Sequence, residues 1–156
     1  MSSIVVYASR YGNTERIAYA IAAGMRHFGE VQVFAIDNAP TVIPEEVELM
    51  VVGGPTEAHG LTPPLANYLG HLSSLSSQSV ATFDTRLRAA RWLSGSAAVG
   101  IARKLKLAGA DEIAEPMSFF IAGKVPQLEP GELERAEAWG HALGERTAAL
   151  LHAVPQ

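Results

Sequence analysis

Residues 1–25 constrain the fold more than any other stretch of the chain. Residues 4–7 are apolar and mostly β-branched, which is typical of a buried parallel strand. A polar loop over residues 8–14 follows, and apolar side chains then recur at helical spacing as far as Met25. This order predicts a strand, a tight loop and a helix that packs back against the strand. Backbone N–H groups and the positive end of the helix then point at one spot, which suits a phosphate group.

The loop itself admits two interpretations. Its hydroxyl and amide side chains can donate hydrogen bonds to a phosphate, and Gly12 lets the backbone bend tightly. The loop lacks the lysine of a Walker A loop and the three glycines of a dinucleotide fingerprint, and its residue types are also ordinary helix caps. Phosphate binding and plain capping both stay open from this loop alone. The candidate residues are Ser9, Arg10, Tyr11, Gly12, Asn13 and Thr14.

Composition narrows the class of protein. With 156 residues, 48% of them hydrophobic and 18% charged, we expect a single globular domain over residues 1–156. The absence of cysteine excludes disulfides and thiolate chemistry. A net charge of −4 argues against a nucleic-acid partner. The apolar runs are too short for a membrane span, and the amino terminus does not look like a targeting signal, so a cytoplasmic location is expected.

Strands and helices alternate along the rest of the chain. Further strands are predicted at residues 31–36, 47–53, 79–83 and 113–121, the last bent near Pro116. Helices are predicted at residues 61–75, 96–107 and 129–151. Such alternation predicts an α/β fold with a doubly wound parallel sheet of five strands and helices on both faces.

Three polar loops meet in this arrangement. Right-handed crossovers place the carboxyl end of every strand at one edge of the sheet, which brings together residues 8–14, 54–62 and 84–95. Ligands bind at such an edge, where the winding of the sheet reverses. The convergence favours phosphate binding over plain capping at residues 9–14.

Three segments resemble the flavodoxin family. Ser9, Arg10, Tyr11, Gly12, Asn13 and Thr14 resemble its phosphate loop, and residues 51–56 resemble the strand that feeds the loop over one flavin face. Residues 83–95 stand where its third loop covers the other face. The resemblance implies strand order 2-1-3-4-5 and noncovalent FMN. Two features depart from the family pattern. The tyrosine directly before Gly12, Tyr11, resembles the loop of flavodoxin-like quinone reductases and protoporphyrinogen oxidases. Residues 57–60 offer no aromatic side chain that could stack on the flavin.

The resemblance also implies cofactor contacts in the second and third loops. Thr56 could reach the ribityl chain or ring edge, or it could belong to an ordinary turn. His59 could cover a ring face, or it could be a solvated loop histidine. Trp92 could stack on the ring, or it could pack under its own loop. Asp84 either turns its loop or helps to present N–H groups to the flavin. Trp139 is assigned to the core, and residues 132–137 to a solvated helix face. The candidate contacts are Pro55, Thr56, His59, Gly60, Phe83, Asp84, Thr85 and Trp92.

The favoured function is an FMN-binding electron carrier that serves a redox partner protein or a small-molecule electron acceptor. No acid–base pair or nucleophile–base pair is evident, so no catalytic residue or metal ligand is assigned. The alternative is an FMN-dependent oxidoreductase that acts on a quinone or porphyrinogen, and a signalling receiver is disfavoured. Arg86, Arg88 and Arg91 in the third loop predict a basic rim that attracts an anionic substrate or an acidic partner, unless they are simply solvated.

Overall fold

One sheet with helices on both faces forms the framework. The computed structural model describes residues 1–57, 60–75 and 77–153, with only the backbone at Arg91 and Trp92. Its strands are β1 (Ser2–Tyr7), β2 (Glu30–Ala35), β3 (Leu49–Pro55), β4 (Ser79–Leu87), β5 (Asp111–Glu112), β6 (Met117–Ala122) and β7 (Gln127–Leu128). Its α-helices are α1 (Asn13–Met25), α2 (Pro63–Gly70), α3 (Arg91–Ser94), α4 (Ala97–Leu107) and α5 (Glu132–Ala153), and 3₁₀ turns lie at Arg26–Phe28 and Ile36–Asn38.

The strand order confirms the predicted doubly wound topology. β2, β1, β3, β4 and β6 lie side by side and parallel, which is the order 2-1-3-4-5 when β6 counts as the fifth strand. The fifth strand is in two pieces, because β5 also pairs with β4 and the chain leaves the ladder before Pro116, which has no N–H to donate. β7 adds a short antiparallel strand at the edge beside β6, so the sheet is not the purely parallel, five-stranded one predicted.

Alternate residues of each strand supply two cores. α1 and α5 cover one face over Val5, Val51, Phe83 and Phe119, and α2 and α4 cover the other over Ile4, Val52 and Val80. Trp139 packs edge-on against Phe83 and Phe119, with ring centroids 6.4 and 6.0 Å apart. Its predicted place in the core is therefore confirmed.

β4 is longer than predicted. The sequence suggests an end at Phe83, but pairing with β6 continues from Phe83 to Leu87. Asp84, Thr85 and Arg86 are buried there, because each finds polar partners on other elements. The third loop therefore begins at Arg88, and it contains the short helix α3.

Two helices also differ from their predicted form. α2 ends at Gly70 instead of continuing to residue 75, because the Ser73 and Leu75 N–H groups donate to Thr41 and Ala108 carbonyls on other segments. In α5, Glu132 does not lie on a solvated face: it is 6% exposed and accepts hydrogen bonds from the Phe120 N–H and from Arg135. Among the described residues, no helix is both long and apolar enough to cross a lipid bilayer.

Candidate functional site

The carboxyl ends of β1, β3 and β4 bring three loops together, as predicted. Tyr7 lies beside Gly53, and Pro55 lies beside Thr85, in the sheet register. The ladder continues into the loops, since the Ala8 N–H donates to the Gly53 carbonyl and the Thr56 N–H donates to the Thr85 carbonyl, both at 3.0 Å. The loops that leave β1, β3 and β4 at Ala8, Thr56 and Arg88 therefore face one crevice at this edge of the sheet.

The first loop presents two backbone donors to a single oxygen. Gly12 has a φ of +88°, a conformation that favours glycine, and it precedes the first turn of α1. The N–H groups of Gly12 and Glu15 both point at the Ser9 hydroxyl oxygen, at 3.2 and 3.4 Å. A Cβ at Gly12 would meet no atom within 4 Å, so this side of the loop is open. The start of α1 thus accommodates an acceptor oxygen in an open loop.

Two other residues of this loop turn inward. The Thr14 and Thr85 hydroxyl oxygens lie 2.7 Å apart and are buried. The Asn13 side-chain amide donates to the Pro126 carbonyl at 2.9 Å, which joins the loop to the turn between β6 and β7. These side chains therefore fix the start of α1. Their backbone N–H groups lie in the first helical turn, where the helix offers no acceptor.

An exposed ion pair connects the first and second loops. Arg10 Nη1 lies 3.0 Å from Glu57 Oε2, and the Arg10 and Glu57 side chains are 63% and 32% exposed. The hydrogen bond to Glu57 raises the pKa of Arg10 above its ordinary value. Tyr11 is exposed, with the Arg10 guanidinium 5.6 Å from its ring centroid. Glu57 was not singled out from the sequence, because an isolated loop glutamate carries no local signal.

Two backbone hydrogen bonds join residues of the second loop directly after Thr56. Glu57 and Gly60 exchange them, both at 2.9 Å. Pro55, at the end of β3, and Gly60 are partly exposed. His59 lies outside the described residues, and its predicted role over a ring face stays a prediction.

Asp84 occupies the centre of a buried polar network. Its Oδ2 accepts hydrogen bonds from the Thr56 hydroxyl, the Ser96 hydroxyl and the Ala98 N–H, at 3.1, 2.6 and 3.1 Å. Ser96 caps the amino terminus of α4, where its position directly before an apolar helix is a recognisable sequence signal. The Phe83 side chain, by contrast, lies in the core beneath Trp139 and so offers no ring to the crevice.

The predicted basic rim is wrong at Arg86. Because β4 continues to Leu87, the Arg86 side chain is buried, and its guanidinium donates to Ser118 Oγ, the Ala89 carbonyl and Ser94 Oγ. Arg88 lies 3.2 Å from Glu129 and stacks 4.1 Å from the Phe120 ring centroid. The side chains of Arg91 and Trp92 are not described, so ring stacking by Trp92 stays a prediction.

A cavity of about 550 Å³ lies next to the first loop. The ends of β1, β2 and β3 and the start of α2 enclose it, and its lining includes Ser9, Arg10, Ile36, Asp37 and Pro55. No residue of β4 lines this cavity. The first and second loops therefore both contribute to its wall.

Comparison with known proteins identifies the family to which the chain belongs. A family model described as a flavodoxin domain matches residues 4–106, about two thirds of the sequence. The chain belongs to the flavodoxin domain family. This confirms the family resemblance inferred from residues 9–14, 51–56 and 83–95. A search of curated proteins found no match.

Solved structures show the same fold. Oxidised flavodoxin 2 from Bacillus cereus is 21% identical, with a TM-score of 0.77, over 94% of this chain and 99% of that one. A flavodoxin from the domain Archaea is 21% identical, with a TM-score of 0.76, over 95% and 99%. The flavodiiron core of Flv1 from Synechocystis sp. PCC6803 is 20% identical, with a TM-score of 0.73, over 96% of this chain but 36% of that longer one.

Proposed function

We propose that this flavodoxin-family chain binds FMN noncovalently, with the phosphate at the amino terminus of α1, and carries electrons to a redox partner protein or a small-molecule acceptor. The observation that carries the proposal is the pair of N–H groups, from Gly12 and Glu15, that meet on the Ser9 hydroxyl oxygen in an open loop. An oxygen of a phosphate is the same kind of acceptor, and the positive end of the helix favours its charge.

The residues present fit such a ligand. Gly12 leaves room on the open side of the loop, and Arg10 is exposed beside it and can offset phosphate charge. The second and third loops, held by buried side chains of β4, border the space next to it. Bound FMN would supply the electron-transfer chemistry, while the chain orients the flavin and excludes water from it.

A second candidate function is FMN-dependent oxidation or reduction of a quinone or porphyrinogen. The cavity of about 550 Å³ beside Ser9 and Pro55 supports it, because that volume suits a small ring compound close to the proposed cofactor. Steady-state turnover with quinones or porphyrinogens, measured with and without FMN, separates this enzyme from a carrier. Turnover that requires FMN and one of these compounds supports the enzyme, and electron transfer to proteins alone supports the carrier.

The phosphate position is tested with two ligands and one substitution. We expect FMN to bind at least about tenfold more tightly than riboflavin, because hydrogen bonds to a charged group contribute roughly 1.5–3 kcal/mol each. Gly12→Val should weaken FMN by about ten- to a hundredfold and riboflavin only slightly, since a β-branched residue cannot keep the φ of +88°. Flavin fluorescence during titration measures both affinities.

Gly70→Ala is the matched control, because a Cβ at Gly70, the last residue of α2, also meets open space and requires no unusual φ. Its affinities for both flavins should equal those of the parent. Equal losses for FMN and riboflavin in Gly12→Val would place the phosphate elsewhere. A parent protein that binds neither flavin would contradict the proposed function.

A further inference from the structure

We propose that Asp84 is a positioning residue that fixes the second and third loops of the site relative to each other. The expected effect on FMN affinity rests on the proposed function. The coupling of the two loops rests on the geometry alone. Asp84 is fully buried in β4, and its carboxylate lies between Thr56, the first residue of the second loop, and Ser96, the last residue before α4.

A single carboxylate oxygen bonds to both loops. Asp84 Oδ2 accepts from Thr56 Oγ1 at 3.1 Å and from Ser96 Oγ at 2.6 Å. It also accepts from the Ala98 N–H at 3.1 Å, and the Thr56 hydroxyl oxygen in turn accepts from the Ala97 N–H at 2.9 Å. The start of α4 therefore cannot shift without disturbing the first residue of the second loop.

The other end of the third loop is held from the same face of β4. Arg86 donates to the Ala89 carbonyl at 2.6 Å and to Ser94 Oγ at 3.1 Å, and its Nε lies 3.9 Å from Asp84 Oδ1. Asp84 and Arg86 stand two residues apart on one strand, and so they point to the same side of the sheet. Together they hold both ends of the third loop, and Asp84 extends this network to Thr56 in the second loop.

The negative charge strengthens this network, because three donors meet at Oδ2 and the Arg86 guanidinium faces Oδ1. Asparagine has the same shape, but its amide group has one acceptor and one donor end. Turned one way, the amide would place its NH₂ against the three donors at Oδ2. Turned the other way, the amide oxygen would keep the three contacts at Oδ2 only as weaker, neutral hydrogen bonds, and the NH₂ would face the Arg86 guanidinium across 3.9 Å. Asp84→Asn should therefore loosen both loops with little change in side-chain volume.

Amide hydrogen exchange on the ligand-free protein tests the coupling directly. In Asp84→Asn, we expect exchange to rise by about tenfold or more both at the start of α4 and in the second loop, because the buried hydrogen bonds at each are either broken or lose their charge assistance. Thr82→Val is the matched control: Thr82 is buried on the same face of β4, and its hydroxyl donates to the Ala98 carbonyl of α4 at 3.0 Å. It should leave the second loop unchanged.

Flavin affinity gives the second measurement. Asp84→Asn should weaken FMN and riboflavin by the same factor, about tenfold or more, because it disturbs the loops that border the ring and not the phosphate site. Gly12→Val, by contrast, is expected to weaken FMN strongly and riboflavin only slightly. If the parent binds no flavin, the proposed function fails, and the exchange result still decides the coupling.

The inference is overturned if exchange in Asp84→Asn rises only at α4, as in Thr82→Val, or if FMN is weakened and riboflavin is not. Should Asp84→Asn fail to fold, Thr56→Val removes a single hydroxyl from the network. It should speed exchange of the Ala97 and Ala98 amides at the start of α4. Unchanged exchange at those two amides would equally contradict the coupling.

Discussion

Glu132 shows how one buried carboxylate joins a helix to the sheet. It is the first residue of α5, and its Oε2 accepts from the Phe120 N–H of β6 at 2.7 Å and from Arg135 at the same distance. Arg135 also lies over the Phe119 ring, 4.6 Å from its centroid. The charge at the start of the helix therefore satisfies a strand N–H that would otherwise be buried without an acceptor.

The pKa of Glu132 makes this contribution dependent on pH. Hydrogen bonding from Arg135 is the largest cause that holds this pKa below its ordinary value, and the Phe120 N–H acts in the same direction against the opposing effect of burial. Because the folded pKa is depressed, the stabilisation is complete above the unfolded value of about 4.3 and is lost as pH falls through the folded pKa.

We therefore expect Glu132→Gln to lower the free energy of unfolding by about 1–3 kcal/mol at pH 7. The difference from the parent should shrink as pH falls below about 4, because Glu132 is protonated progressively between its unfolded pKa and its lower folded pKa, and a neutral carboxyl then resembles glutamine. Urea titrations between pH 7 and 3 measure this difference in the free energy of unfolding. Glu134→Gln, on the exposed face of the same helical turn, should change stability by less than about 0.5 kcal/mol. A difference between Glu132→Gln and the parent that is independent of pH would contradict the assignment.

At the scale of elements, the close approach of α1 and α5 depends on glycine. A Cβ at Gly140 would overlap the Ile21 carbonyl of α1, and one at Gly24 would overlap the Glu137 carbonyl of α5. Both neighbours are backbone atoms of packed helices, so neither can move aside alone. Gly140→Ala should therefore separate the helices and lower the free energy of unfolding by about 1–3 kcal/mol.

Gly70→Ala again provides the control, since its Cβ meets open space at the end of α2. It should be neutral or stabilise the protein by up to about 1 kcal/mol, because alanine suits a helix better than glycine. Chemical denaturation compares the two variants. Equal effects would show that helix propensity, and not the contact between α1 and α5, decides the outcome.

Local patterns predicted the apolar elements well and the polar parts of the site less well. β1, α1 and α4 follow from periodicity and capping, because their apolar residues face a core in any arrangement of this class. β4 was cut short because Asp84 and Arg86 look like loop residues; their partners, among them Ser96 and Ser118, come from distant segments that only the folded sheet brings near. Glu132 was misassigned for the same reason.

At the scale of the whole molecule, charge around the crevice is more balanced than the sequence suggests. Six of the twelve cationic residues lie between residues 86 and 106, but Arg86 is buried, and Arg88 and Lys106 pair with Glu129 and Glu112. Arg10 is paired with Glu57 on the opposite side. These contacts account for three of the six cationic residues, so an acidic partner stays a prediction, and Arg10 is the cation placed beside the proposed phosphate site.

Binding of FMN should also stabilise the entire fold, because the proposed site joins loops from three strands and exists only in the folded chain. At a free FMN concentration of a hundred times Kd, linkage predicts about 2.7 kcal/mol of added stability. For a chain of this length, that corresponds to a rise in Tm of roughly 5–10 °C. Thermal unfolding followed by circular dichroism, at increasing FMN concentration, measures the shift.

The ligand comparison makes this last prediction specific to the phosphate. Riboflavin at the same concentration should raise Tm less than FMN, because it lacks the group that the Gly12 and Glu15 amides are expected to bind. In Gly12→Val, the FMN shift should fall to the riboflavin value, and in Gly70→Ala it should equal that of the parent. A Tm that rises equally with FMN and riboflavin would mean that the flavin ring is held without the helix amino terminus. A Tm that does not depend on FMN at all would contradict flavin binding by this chain.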